Sequence, residues 1–438
     1  MNSLSSRRRW IDRCPYLVIL GIALIYFFYV LIDNKYFFYD DFTALKFVAE
    51  RSYLQVIIDS LISRNIDRHK FVGYLIHKAL YDIVDLKIEI YFFVLFVVHT
   101  INSWLIYWLL NRINKQTWTN TILSSVFCYR FYLWWFSNIH VYLATLFGLL
   151  FIAVWFQYLS KPGRIRFVLW GIWPLMVFSY GPSVLLPLAL IPATMAVKKN
   201  FSINLIKPLL PFVLLLFIYL VLFVFTPDSL ERFTSESNPY KSDFSPQSFI
   251  ISQSIYLHEI SGKLLPQSTI LTLIVWLCLF IFTYHINPKN LLWLLSFFIA
   301  LWANSFFANH TMFYYLYLPI VFLLIYFGQM LRERNWFVTL VILFILFAPW
   351  TGIYQLIFRF RHPANNFEKT AMETISRKVD RALVSGETQV RLSNWDVTPN
   401  LEHAIVYQAL PYFLTNSNRF GYKYLYSRET ETLILVPN

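Results

Sequence analysis

Apolar stretches close to twenty residues long recur along almost the whole chain, among them "YFFVLFVVHTINSWLIYWLL", "VYLATLFGLLFIAVWFQYL" and "TILTLIVWLCLFIFTYHI". A helix of about 20 residues matches the roughly 30 Å hydrocarbon core of a bilayer. Inside that core each peptide group must find its partner within the segment, which a helix provides. The composition agrees, because only 14% of residues are charged and 58% are hydrophobic, against roughly one-quarter charged in a soluble domain. The mean hydropathy is +0.52. Length alone would divide the 438 residues into about three domains, but the apolar recurrence favours one large helical membrane body.

Apolar windows fall near 15–33, 88–110, 118–136, 139–159, 167–180, 183–197, 208–226, 267–285, 290–305, 311–329 and 335–353, about eleven spans by the hydropathy criterion. The formal net charge of +13 does not mark a nucleic-acid binder, since the basic residues are scattered through short loops rather than gathered in a stripe. They report topology. With the amino terminus in the cytoplasm, Arg7, Arg8, Arg9, Arg13, Arg112, Lys115, Lys161, Arg164, Arg166, Lys198, Lys199, Lys207, Lys289, Arg332 and Arg334 all lie inside. The short loops then left outside, "SNIH", "YGPS" and "NSFFANH", contain no Lys or Arg, as the positive-inside rule requires. The amino-terminal "SSRRRWIDR" and its long apolar run lack a small-residue cleavage site and read as an uncleaved anchor. Cys14, Cys128 and Cys278 lie near or within apolar segments, so no disulfide framework is indicated.

The expected architecture is an all-α polytopic membrane domain over residues 1–353, with outer loops at 34–87 and 227–266, followed by a small extracytoplasmic α/β lobe at 354–438. In the first loop, "FTALKFVAERSYLQVIIDSLI" and "FVGYLIHKALYDIV" carry one apolar face at helical spacing, as helices lying in the interface do. The second loop is rich in Ser, Pro and charge and leads into a short amphipathic helix. The tail alternates helix-like "NNFEKTAMETISRKVDRAL" and "NLEHAIVYQALPYFL" with strand-like "TQVRLSN" and "TETLILVPN".

The first outer loop opens on adjacent carboxylates, Asp40 and Asp41. One reading is capping, with an Asp accepting the free amides at the positive end of the following helix. The other is general-base chemistry, with Arg64, Arg68 and Lys70 of the same loop gathering on an anion. In an extended segment the neighbours point to opposite sides, so one can face a cavity while the other caps. Arg130 near the outer end of the third span either snorkels to the interface or binds phosphate in a cavity. The positions of His69, His77, His99, His140 and His310 match no zinc spacing. His99 is expected in a helix-to-helix hydrogen bond, while His140 and His310 fall in outer loops within reach of a cavity. No cofactor is expected, and a divalent metal is left open.

The stretches "FFYDDF", "RHKFVGYLIHKALYDIV", "FFVLFVVHTINSWLIYWLLNRI", "WWFSNIHVYLATLFGLLFIAVWF" and "TMFYYLYLPIVFLLIYF" resemble, in order and spacing, the GT-C superfamily of membrane glycosyltransferases. The likeness covers mainly residues 36–160, with a weaker echo at 311–327. It implies a polyprenyl-phosphate sugar donor and an essential Asp in the first extracytoplasmic loop, falling on Asp40 first and Asp41 second. Donor phosphate would rest on Arg64, Arg68, Lys70 or Arg130, and the substrate cavity would include His140, His310 and Tyr314. Two departures stand out: "SYGPSVLLP" lacks the acidic residue that relatives often carry there, and "ANHTMFYYLYLP" lacks the basic one, for which His310 is the substitute. The implied partners are that donor, membrane lipid and a glycan or protein acceptor, with no nucleic acid. The chain size and outer tail look similar to O-antigen glucosyltransferases of the bacterial inner membrane, which modify lipopolysaccharide. A protein O-mannosyltransferase and a lipid-linked glycan flippase are the alternatives.

Overall fold

A computed structural model describes residues 14–25, 27–28, 40–62, 70–130, 136–198, 203–224, 245–261, 265–306, 312–333, 363–392, 410–414, 421–427 and 432–438, with 234, 243, 419 and 430. The protein is mostly helical. In chain order the helices are α1 (Cys14–Ile25), α2 (Asp40–Ala49), α3 (Tyr53–Ile62), α4 (Phe71–Val84), α5 (Ile88–Asn114), α6 (Thr117–Arg130), α7 (Ile139–Ser160), α8 (Arg166–Val177) and α9 (Leu186–Lys198). They continue with α10 (Ile203–Leu222), α11 (Pro246–Ile260), α12 (Thr269–Ile286), α13 (Leu291–Leu301), α14 (Ile320–Arg332) and α15 (Pro363–Ser385). Among the described residues, five helical stretches are long and apolar enough to cross a membrane: α5, Phe136–Ser160 through α7, Gly181–Lys198 through α9, α10 and α12. The architecture is that of an integral, multi-pass membrane protein. The expected span at 335–353 lies outside the described residues.

Burial separates two kinds of spanning helix. The apolar windows of α5 and Phe136–Ser160 are 61% and 72% buried, whereas those of α10 and α12 are 22% buried. Leu214, Phe217 and Val221 of α10, and Ile270, Leu273 and Leu277 of α12, turn outward, which lipid satisfies at no cost. The inner pair packs against α6, α8 and α14 and carries fully buried Tyr91, Phe92, Tyr142, Phe151 and Trp155. Sparse polar pins fix helix to helix. Trp155 donates to Thr194 Oγ1 at 2.8 Å, Thr283 bonds Tyr326 at 2.7 Å, and His99 bonds the Tyr317 hydroxyl and the Cys128 carbonyl at 2.6 Å. In an apolar surround each such bond also chooses a register, because its alternative is an unpaired polar group.

The segment expected to form the first outer loop differs from expectation in two ways. The apolar segment beginning at Phe42 is not one helix but two, α2 and α3, parted at Arg51–Ser52. The "SYLQ" sequence causes the break, since Gln55 N–H donates to Ser52 Oγ at 3.3 Å while Ser52 N–H donates to Gln55 Oε1 at 2.8 Å, a reciprocal capping box. Asp40 and Asp41 do not lie in an extended segment but open α2, where the helix dipole favours negative charge. Helix α4 forms as its apolar pattern predicts. It buries Gly73 and His77 and packs Val72, Ile76, Leu80 and Val84 on the core, a row at four-residue spacing.

Helix α11 is capped at its start by Ser245, whose Oγ accepts from Ser248 N–H. In the tail, α15 buries Ile375, Val379, Ala382 and Leu383. Strands β1 (Gln389–Arg391), β2 (Tyr422–Ser427) and β3 (Thr432–Pro437) form an antiparallel sheet in the order β1-β3-β2. Val390, Tyr424, Leu433 and Leu435 are buried and lie on one face, since Val390 pairs with Leu433 and Tyr424 with Leu435. The expected helix over "NLEHAIVYQALPYFL" lies outside the described residues except for a 3-10 turn at Leu410–Phe413.

Candidate functional site

The Asp41 side chain is 1% exposed. Its Oδ1 accepts both the backbone N–H and the hydroxyl of Ser137, each at 2.6 Å. Hydrogen bonds to a carboxylate are the short, strong kind, worth about 1.5–3 kcal/mol each. They tie the start of α2 to the 3-10 turn Phe136–Asn138 that leads into α7. Asp40 is the first residue of α2, and its side chain is outside the description.

The same turn places His140, which was expected in a loop, inside the first turn of α7 with only 4% of its surface exposed. Its ring rests on Gly73 of α4 so closely that a Cβ there would come within 2.0 Å of His140 Nδ1. The His77 ring lies 5.6 Å away and nearly parallel, and the Tyr74 ring sits edge-on at 5.0 Å. His77 Nδ1–H donates to the Gly73 carbonyl at 3.0 Å, while His77 Nε2 and His140 Nδ1 have no partner in the structure. Burial lowers the His77 pKa to about 4, with the Gly73 bond opposing the shift only in part. The Lys70 ammonium, at the amino-terminal cap of α4, is near enough to act on His140 through its charge.

Val141 and Thr145 of α7 follow Ser137 at four-residue spacing. Thr145 is eight residues on, about 12 Å along the axis. Both line a narrow cleft with Tyr180, Pro182 and Ser183 from the 3-10 turn before α9, Asn304 after α13, and Tyr314 and Tyr315 before α14. Ends of three helix pairs therefore meet at one place, beside the three short loops that lack Lys and Arg. Among the described residues no charged side chain lines the cleft. Thr145 Oγ1 and Asn304 Oδ1 are buried without a partner, a state that costs about 1–3 kcal/mol per group unless something else pairs with it. Beside the cleft an apolar groove of about 400 Å3 runs between α9 and α13, bounded by Leu185, Leu188, Ile191, Leu295, Ile299 and Trp302.

Of the residues singled out in the sequence, Asp41, Lys70 and His140 are gathered at the junction of α2, α4 and α7, and Tyr314 lines the adjoining cleft. Arg64, Arg68 and His310 lie outside the described residues. Arg130 is the last residue of α6, and its side chain is outside the description. Sequence reasoning missed Ser137, Thr145 and Asn304. Their signal was present: Ser137 belongs to "SNIH" and Asn304 to "NSFFANH", two polar loops set between apolar spans. Among the described residues no group of three or more His, Cys, Asp or Glu side chains is placed to hold a metal ion. No protein-family model, curated protein or solved structure matches the chain.

Proposed function

We propose that the protein is a membrane glycosyltransferase that moves a sugar from a polyprenyl-phosphate donor to an extracytoplasmic acceptor, a surface glycan such as O-antigen. The observation that carries this reading is the buried Asp41 carboxylate, fixed by Ser137 at the turn that leads into α7. The neighbouring apolar groove supports a lipid-borne substrate, because an isoprenoid tail needs an apolar path leading to the polar site. The GT-C arrangement of about eleven transmembrane helices, with the acidic pair on the outer face, belongs to the same proposal.

In this scheme Asp40 is the general base and Asp41 anchors the helix start that carries it. Asp40 takes the proton of an acceptor hydroxyl as that oxygen bonds to the anomeric carbon from the face opposite the phosphate. The bond from the anomeric carbon to the phosphate oxygen breaks, and the electron pair leaves with the lipid phosphate. Lys70, with Arg64, Arg68 and Arg130, balances the charge released there. A single displacement inverts the anomeric centre.

The test uses purified protein in lipid nanodiscs with polyprenyl-phosphate glucose and a lipid-linked O-antigen acceptor. Asp40→Asn is expected to lose about 10²–10⁴-fold in turnover, the usual contribution of a general base, with an unchanged melting temperature. Asp41→Asn is expected to lose turnover and also about 2–3 kcal/mol of stability, as one charge-assisted pair is weakened. Turnover by Asp40→Asn at the wild-type rate removes the base assignment. Movement of the lipid-linked sugar across vesicles without transfer identifies a flippase instead. Mass spectrometry of cells with and without the gene separates the acceptors, since unchanged surface glycans beside altered glycoproteins point to a protein O-glycosyltransferase.

A further inference from the structure

Six threonines are buried among the described residues. Five of them, Thr100, Thr121, Thr194, Thr272 and Thr283, donate their hydroxyls to the carbonyl four residues earlier, at 2.5–2.8 Å. The sixth, Thr145, lies fully buried within α7, and its Oγ1 has no partner. Across the cleft, the backbone carbonyl of Asn304 accepts from the Tyr256 hydroxyl at 3.1 Å, while its side-chain Oδ1 is left without a partner at 2% exposure. Ser183, on a third wall, turns its hydroxyl hydrogen to the carbonyls of Tyr180 at 2.7 Å and Met176 at 3.0 Å, so its oxygen can still accept. The space that these three side chains line measures about 20 Å3. A buried water needs about 10–15 Å3 and two to four polar partners, and both conditions are met here.

We propose that this space is a binding site for a single water, which accepts from the Thr145 hydroxyl and donates to Asn304 Oδ1. Its second hydrogen goes to Ser183 Oγ. The bridge joins two packing groups, since α7 packs on α5 and α8, whereas α13, which runs into the turn carrying Asn304, packs on α9 and α14. The water therefore ties the helix that follows Ser137 and carries His140 to the helices that bound the apolar groove. The rival arrangement turns Thr145 so that its hydroxyl returns to the Val141 carbonyl, as the other five threonines do. That turn leaves Asn304 Oδ1 buried and unpaired, so the bridge satisfies one group more. The site is independent of the sugar-transfer reading, because none of its three residues takes part in that chemistry.

Two measurements on the full chain test this. The first is a density map in nanodiscs at a resolution that shows ordered water. One isolated peak is expected within hydrogen-bond distance, about 2.5–3.0 Å, of both Thr145 Oγ1 and Asn304 Oδ1, and it is expected to vanish in Thr145→Val. An empty space, or Thr145 turned onto the Val141 carbonyl, overturns the proposal. The second is reversible unfolding in mixed micelles of Thr145→Val, Asn304→Leu and the double variant. Each single change is expected to lower the folded-to-unfolded ratio at least about fivefold, because it strands the group opposite, while the double variant is expected to be no less stable than either single one. Single variants at least as stable as wild type, or losses that add in the double variant, overturn the proposal. So does a stability that rises when sodium chloride replaces N-methylglucamine chloride at equal ionic strength, since the occupant would then be a cation. Neither readout uses sugar transfer, so the water site and the transferase reading stand or fall separately.

Discussion

Gly73 and His140 occupy a contact that leaves no room for a methyl group, since a Cβ at Gly73 would stand 2.0 Å from the His140 ring nitrogen. Gly73→Ala must therefore push the imidazole away, and with it the first turn of α7. Overpacking of this kind costs about 1–3 kcal/mol. Thermal unfolding of the variant is expected to shift downward, and transfer activity to fall with it, because Ser137 precedes His140 by three residues and holds Asp41. Normal melting and activity would show that α4 and α7 are not in contact. The neighbouring His77 gives a pH signature. Its folded pKa near 4 lies below the ordinary value of 6.5, so between those values the unfolded chain binds more protons and stability rises with pH. That contribution is complete above pH 6.5 and is lost as pH falls toward 4, at most about 3 kcal/mol for a shift of this size. Carboxylates titrate in the same range, so the comparison is with His77→Gln, whose melting temperature is expected to fall less steeply from pH 6.5 to 4. Equal slopes would mean that His77 is solvated. The imidazole faces Tyr74, Phe136 and His140, and Lys70 is the cation that acts on His140.

At the scale of elements, what the sequence revealed depended on whether a local pattern or a distant partner decides the structure. The apolar row of α4 and the Ile375–Val379–Ala382–Leu383 row of α15 are local patterns, and both helices formed where the spacing placed them. The break between α2 and α3 is local too, but it is written in polar atoms. Ser52 and Gln55 cap α3, a signal that apolar periodicity passes over. Ser52→Ala is expected to cost about 1 kcal/mol and to loosen residues 53–62, seen as faster amide exchange there with exchange in α5 unchanged. Uniform exchange along the whole loop would show that the cap does not set the boundary. Strand β2 went unseen because "YKYLYS" buries a single fully inward residue, Tyr424. Only its pairing with β3 makes it a strand. The site divides in the same way. The acidic pair stood out in the sequence by its position after the first apolar run. Ser137, 96 residues away in the chain, and Asn304 became visible only when the fold brought their loops together.

For the molecule as a whole, the distribution of Lys and Arg assigns helix ends to two sides, and the contacts agree with that division. At the ends assigned inside, Lys198 donates to the Leu159 carbonyl at 2.8 Å, a cation closing a helix carboxyl end. Asn287 donates to Glu333 at 2.8 Å, and Gly328 of α14 lies against Asn114 at the end of α5. At the ends assigned outside, Asp41 meets Ser137, Gly73 meets His140, and Tyr180, Asn304 and Tyr314 share one cleft. These contacts group the ends but leave the direction of the molecule in the membrane to the charge rule. The direction matters chemically, because a lipid-phosphate donor is needed only where nucleotide sugars are absent. With Cys14, Cys128 and Cys278 replaced by Ala, single cysteines are introduced by Gly163→Cys, in the exposed turn between α7 and α8, and by Lys423→Cys, on the exposed edge of the tail sheet. In spheroplasts a membrane-impermeant maleimide is expected to label Lys423→Cys at once and Gly163→Cys only after detergent is added. The opposite order would turn the acidic pair and its cleft toward the cytoplasm, where soluble nucleotide sugars are at hand and the chemical reason for a polyprenyl-phosphate donor disappears.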